Sequence, residues 1–468
     1  MSSDQVQEQQ DEKARKKRHG LWLKLGLLSF LFLAVPAVFY LFFSMRAARL
    51  VEAELTAIRA DGLPATPEEL NDYYKYPPVD KDATRLWLAG TKMLRGYDFS
   101  QEYAEFAWAD DNGVDKTIPP PGTEWEDIEA AEKFLAKYAA SLDSLHQASQ
   151  KGGAARYPIE FRHVYDADVD SISQLHRGAQ LLSMQAHVRA HRRDARGAAE
   201  SIHAIFMLER SLANAPVSYS QTIRTSISLA ACEVLGQLLP HVEFSGEDIA
   251  TLRADLRAID YDAAFREAIV GDRALGISAF LNPAPLADDF GHPIDFRLGA
   301  RNDDMLLYLR FMGDYLAAAE QPWPERYTEM EALEAEFMDF PADSSAINSL
   351  RYAMTTVITP SFEGMARLFA RHEATIRAAD TVLAITQFTQ KHDRLPSGLN
   401  ELVPDFVDSV PLDPFDGKPL RYVVRETEYV IYSVGPDRVD DGGRLGEDEE
   451  FVDVDNPDLV FRVRRVEK

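Results

Sequence analysis

The residues best placed to do chemistry are few. His187 and His191 stand four apart, the spacing that puts two imidazoles on one helix face and, in many zinc proteins, on one metal. No glutamate adjoins His187 as in His-Glu-x-x-His. Val188 and Arg189 follow instead, and Arg192 and Arg193 repel a cation, so the pair is expected on a solvated basic face. The sequence holds no Gly-x-Ser-x-Gly elbow, no Walker loop and no Gly-x-Gly-x-x-Gly turn. Ser, His and Asp are plentiful, but nothing in their order selects a triad. Glu331, Glu334 and Glu336 read as solvated helix faces. Trp87, Trp108, Trp125 and Trp323 read as core or interface packing rather than the lining of a ligand groove. The densest charge run lies near the C-terminus, where ten acids crowd between Asp437 and Asp458; a cation would relieve that repulsion.

The element that positions everything else is Leu25 to Phe43, which holds no charged residue. A helix rises about 1.5 Å per residue, so roughly 20 such residues cross a hydrocarbon layer of about 30 Å. Residues 1–20 form a polar tail ending in the basic run Lys13 to Arg18, which the positive-inside bias keeps in the cytoplasm. Trp22 and Tyr40 fall near the two ends of the span, at headgroup level. A transmembrane helix over 21–45 is expected, with everything beyond it on the far side. A cleaved signal peptide is the competing reading, but its apolar core would be shorter, at about 7–15 residues, and no small-x-small site follows closely.

At 468 residues, the chain exceeds what one core usually covers. Its net charge is −26, with a tail that is slightly positive, so the body is strongly acidic. Such a surface repels phosphate backbones and anionic lipid, which argues against nucleic acid as a partner. Cys232 is the only cysteine, so packing rather than a disulfide must hold the body together.

From 46 to 360 the pattern is helical nearly throughout. Residues 46–60 continue out of the span and stop at Asp61-Gly62-Leu63-Pro64; Pro- and Asp-rich stretches to Gly122 read as loops. Thr123-Glu124-Trp125-Glu126 reads as a capping box ahead of a helix carrying Ile128, Phe134, Leu135, Tyr138, Leu142 and Leu145. Ile172 to Ala186, Ala198 to Leu208, and Ile223 to Leu238 form further stripes. Ser245-x-x-Asp248 caps the next helix, and others resume near 303–320 and 328–338. With no fixed period, a helical bundle is expected rather than a repeat array.

The last stretch, 361–468, predicts a small α+β unit. A helix over roughly 364–391 leads to Leu395-Pro396-Ser397-Gly398, where Ser397 is placed to cap a short helix through Leu402. Asp413-Pro414-Phe415-Asp416 suits a type I turn, with Gly417 supplying positive φ. Strands are expected over Leu420–Val424 and Glu428–Val434, with a third through Leu459, Phe461 and Val463. These residues resemble the globular end of the major pseudopilins of type II secretion systems. The resemblance rests on Leu395-Pro396, Leu399, Leu402, Pro411, Asp413-Pro414-Phe415, Gly417, Pro419, Tyr422, Tyr429, Ile431, Ser433, Gly435, Asp437 and Gly442-Gly443, and covers about the last quarter of the chain. It implies a calcium-binding loop, with Ser433 and Asp437 matched and Asp440 and Asp441 nearby as ligands. The pseudopilin leader Gly-Phe-Thr-Leu-x-Glu is missing, and some 300 residues separate the span from this unit, so a module reused in an anchored envelope protein is expected rather than a filament subunit.

The fold class expected is therefore mainly α: an N-terminal transmembrane helix, a central helical bundle over 46–360 and a C-terminal α+β pseudopilin-like domain. The expected role is a non-enzymatic, single-pass inner-membrane protein with its bulk in the periplasm, a scaffold or docking unit for secretion or surface assembly. An envelope-polymer hydrolase with its site in the helical region, and a calcium-dependent binding module, are the alternatives.

Overall fold

A computed structural model describes residues 30, 34–35, 38, 42–107, 118–161, 170–283, 301–342, 351–443 and 458–464. Among the described residues the fold is mainly helical, with one small sheet. Of the expected span, Leu25 to Phe43, only Phe30, Ala34, Val35, Val38, Phe42 and Phe43 are described, all helical; Trp22, Tyr40 and the basic tail lie outside the described residues. No helix among the described residues is long and apolar enough to cross a membrane.

Helix α1 continues through 42–60 and ends at Gly62, whose φ of +75° only glycine adopts cheaply. The next stretch departs from the expectation of loops. It holds three short helices, α2 (Pro67–Tyr73), α3 (Thr84–Lys92) and α4 (Tyr97–Ala107). Thr66 caps α2 by accepting the Glu69 amide, and Trp87 of α3 is wholly buried, donating its indole N–H to the Gly153 carbonyl at 3.0 Å. The capping box at Thr123 does not form. Thr123 donates its hydroxyl to the Pro120 carbonyl instead, Trp125 packs on His191, and the helix starts later, as α5 (Ile128–Lys137) and α6 (Ala139–Gln150) broken at Tyr138.

Helices α7 (Asp170–His191) and α8 (Ala195–Arg210) form the expected hairpin, closed by Asp194 accepting the Gly197 amide at 2.9 Å. With α9 (Ser218–Leu238) they make the centre of the body. The capping box of Ser245 and Asp248 opens α10 (Gly246–Arg257) as expected. Helices α11 (Tyr261–Leu281), α12 (Arg301–Ala319), α13 (Glu325–Ala342) and α14 (Ala353–Ile358) follow. Then comes α15 (Phe362–His392), 31 residues long, packed on α9, α10, α11, α13 and the sheet. The expected boundary near 361 thus falls at the start of a helix shared by both regions.

The sheet has three antiparallel strands in the order β1 (Arg421–Val424), β2 (Glu428–Ser433), β3 (Leu459–Arg464). Tyr422 pairs with Ile431, and Ile431 with Phe461. Phe461 meets α9 at Gly236, where an added Cβ would lie 3.3 Å from the ring.

Polar groups inside the body are paired across helices. Glu209 of α8 accepts from Arg224 of α9 at 2.5 Å, both fully enclosed. Arg253 of α10 donates to Asp380 and Gln387 of α15 and to the Phe406 carbonyl beyond it, so one guanidinium ties the body to the C-terminal unit. The solvated reading of the two histidines is corrected. His187 is 4 % exposed because its side of α7 packs inward, and His191 sits against Trp125 with Nε2 2.8 Å from the Pro119 carbonyl. The acidic helix face faces solvent as expected and carries surface pairs: Glu331 accepts from Arg438 at 2.6 Å, Glu334 from Tyr315 at 3.4 Å, and Glu336 from Arg310. Of the four expected core tryptophans, Trp87 and Trp125 are buried, Trp323 stacks under Arg326, and Trp108 lies outside the described residues.

Burial pulls the His187 imidazole down to about 4, with His191 adding to the effect. The unfolded chain binds that proton near pH 6.5, so between pH 6.5 and 4 the unfolded state gains protons and native stability falls. His187→Gln removes this dependence. Urea unfolding at pH 7 and pH 4.5 is expected to show the variant losing about 2–3 kcal/mol less than the parent between the two.

Candidate functional site: the C-terminal acidic turn

The turn begins at Asp413, whose carboxylate is sealed from solvent. Its Oδ1 accepts from the Phe415 amide at 2.9 Å and the Ser433 hydroxyl at 2.8 Å. Its Oδ2 accepts from the Val434 amide at 2.9 Å and Arg421 Nη1 at 2.6 Å. One buried charge therefore binds the turn to the end of β2 and to the start of β1. The closing bond runs from the Gly417 amide to the Asp413 carbonyl at 2.9 Å, one residue wider than a type I turn, and Gly417 takes the expected positive φ of +71°. Gly417 also lies against Pro324 at the start of α13, a contact that a side chain would crowd at 3.2 Å.

Arg421 is the internal cation of the site. Besides Asp413 it engages Asp416 through Nη1 and Nη2, and its Nε lies 3.7 Å from Asp440 Oδ2. Burial works against ionisation of Asp416, but hydrogen bonds from Arg421 and the Lys418 amide outweigh it and hold the carboxyl below its ordinary range. Asp440 Oδ1 accepts from the Tyr432 hydroxyl and the Gly442 amide, both at 3.0 Å.

Sequence reasoning assigned four oxygen donors to this region, and the structure gives each a place. Ser433 is buried; its hydroxyl donates to Asp413 and accepts the Gly435 amide at 3.1 Å. Asp437 is exposed and accepts the Val439 amide at 3.0 Å, which sets the local turn before Arg438 at φ +60°. Asp440 faces Tyr432 and Arg421, and Asp441 lies exposed beside it. Most of the ten-acid run, 444–457, lies outside the described residues, and among the described residues no three His, Cys, Asp or Glu side chains converge on one point.

Asp458 was not among the expected donors. It is 2 % exposed and accepts the Gly443 amide at 2.8 Å through Oδ2, while Oδ1 has no hydrogen-bond partner among the described residues. Burial pushes its carboxyl up, the Gly443 and Asp441 amides pull it down, and the charges of Asp440 and Asp441 push it up again; the net direction is up. Its place at the end of the ten-acid run, just before β3, was the signal the sequence offered. Ser397 also departs from expectation: Glu401 engages both its amide and its hydroxyl, and the 3-10 turn Leu399–Leu402 starts without a side-chain cap.

The whole region rests against the body. Arg438 reaches Glu331 and Thr328 of α13 and lies over the Tyr327 ring, while Phe415 meets the same ring edge-on at 5.3 Å. Comparison with known families, curated proteins and solved structures returns no match for the chain.

Removing the central carboxylate leaves a hydroxyl and two amides without their acceptor and takes from the Arg421 guanidinium one of its two close carboxylates. Asp413→Ala is expected to lower unfolding stability by about 3–5 kcal/mol, read from urea melts at pH 7. A loss of under about 1 kcal/mol would show that Arg421 and the amides find other partners.

Proposed function

We propose that the chain is a single-pass, membrane-anchored envelope protein whose helical body and pseudopilin-like end form a non-enzymatic docking scaffold for secretion or surface assembly. The observation that carries the reading is the character of the first helix. Phe30, Val35, Val38, Phe42, Phe43 and Met45 are exposed, whereas Ala47, Val51 and Ile58 further along α1 are buried in the body. Large apolar side chains gathered on one exposed segment need a covering medium, and the uncharged Leu25–Phe43 stretch is long enough for that medium to be a bilayer. The basic tail then places the acidic body in the periplasm. The resemblance of the last quarter to type II secretion pseudopilins supplies the link to secretion. Extraction of native membranes with alkaline carbonate is expected to leave the chain in the pellet, and a periplasm-active reporter fused to Lys468 is expected to be active. Release into the wash, or a reporter active only in the cytosol, removes the anchor and the role built on it.

A second reading is favoured by Asp458. An unpartnered, buried carboxylate oxygen beside Asp440 and Asp441 suits a hard cation, and calcium is the ion the resemblance implies. Calcium is expected to raise the melting temperature relative to chelator, and Asp458→Asn to abolish the rise. Identical melts with calcium and with chelator exclude the metal.

A further inference from the structure

Arg273 stands in the middle of α11 and is 5 % exposed. Its Nε and Nη2 have no hydrogen-bond partner among the described residues. These two nitrogens lie on the same edge of the guanidinium and donate in parallel, the arrangement that matches two oxygens of a carboxylate or phosphate. A guanidinium does not lose its proton at any ordinary pH, so it cannot escape burial by neutralising itself. A buried charge with an empty fork calls for an acceptor.

The neighbours do not supply one. Asp272, next in the chain, turns elsewhere and accepts the Ser218 amide at 3.2 Å. Tyr308 of α12 faces the site but donates its hydroxyl to the Asp272 carbonyl at 3.0 Å. Tyr73 of α2 donates to Glu267 at 2.9 Å. Arg266, two turns earlier on α11, is spent on Glu267 and Glu320 at 3.2 and 2.7 Å. Asp61, just past α1, attracts Arg273 at long range without forming an ion pair. The fork thus sits on α11 where α2 and α12 pack against it, within electrostatic reach of Tyr73, Tyr308, Arg266 and Asp61.

We propose that Arg273 anchors a buried oxyanion site, taking the two-oxygen edge of a carboxylate or phosphate group on its Nε–H and Nη2–H. The strongly negative body makes a single small anionic group the fitting occupant rather than an extended polyanion. The site lies on the body and depends on neither the membrane anchor nor calcium.

The test uses the full chain in detergent with chelator present, so that a calcium effect cannot contribute. Melting temperature is followed against acetate, inorganic phosphate and chloride at matched ionic strength. A saturable rise of roughly 2 °C with acetate or phosphate, and none with chloride, is expected. The larger response tells carboxylate from phosphate. Arg273→Gln is expected to lose the response, and Arg273→Lys, which keeps the charge but not the fork, to weaken apparent affinity at least about tenfold. No selective rise in the parent chain overturns the site, as does a rise retained in Arg273→Gln. Undiminished affinity in Arg273→Lys overturns the bidentate geometry. Should Arg273→Gln fail to fold, the parent and the lysine variant decide between these outcomes.

Discussion

A helix that is apolar around most of its circumference has to be enclosed, and α15 is such a helix. Phe369, Ile376, Val382, Leu383, Ile385 and Phe388 are all buried, and they do not fall on a single stripe. The small sheet can cover only part of this surface. Helices α9, α10, α11 and α13 cover the rest, and most of the long-range architecture follows from that demand. The bonds from Arg253 to both carboxylate oxygens of Asp380 and to Gln387 fix the rotation of α15 against α10, so the apolar faces meet in one register.

The acidic turn uses the opposite device. Its charges lie close together near a sheet end, and Arg421 is placed among Asp413, Asp416 and Asp440 as a built-in counter-ion. Asp413 is satisfied on every side, so its burial costs little beyond the ordering of its partners. Asp458 is the exception, with one oxygen unanswered. The contrast between the two aspartates separates a carboxylate that the fold uses fully from one that it does not.

Much of this was legible in the chain. Stripes such as Ile172, Leu175, Ala179 and Leu182 gave the hairpins, because helical spacing records the buried face directly. Short apolar runs bounded by turn residues, Leu420 to Val424 and Glu428 to Val434, gave the first two strands, and alternation through Leu459 to Arg464 gave the third. Three kinds of feature were not legible. Helices α2 to α4 are short and lie in a stretch whose Tyr76-Pro77-Pro78 and Pro119-Pro120-Pro121-Gly122 carry loop signals, so the stretch reads as loop. His187 sits among arginines that reach solvent, so its neighbours suggested exposure where tertiary packing imposed burial. The partners of Thr123 and Ser397 lie close by in sequence, yet each side chain chose a different local acceptor from the one a capping pattern predicts. Arg273 and Asp458 are conspicuous only through what they lack, and a sequence cannot show an absent partner.

Helix α1 carries a mechanical implication. It runs unbroken through 42–60, greasy and bare at one end and clasped by the body at the other through Val51 and Ile58. Four residues, or roughly 6 Å, separate Phe43 from Ala47, the first buried side chain of the clasp. A spacer of that length without a hinge behaves as a stiff stalk. Any bilayer holding its tip would therefore dictate the tilt and stand-off of the entire bundle, and a tug on the far sheet would be felt at the lipid without slack.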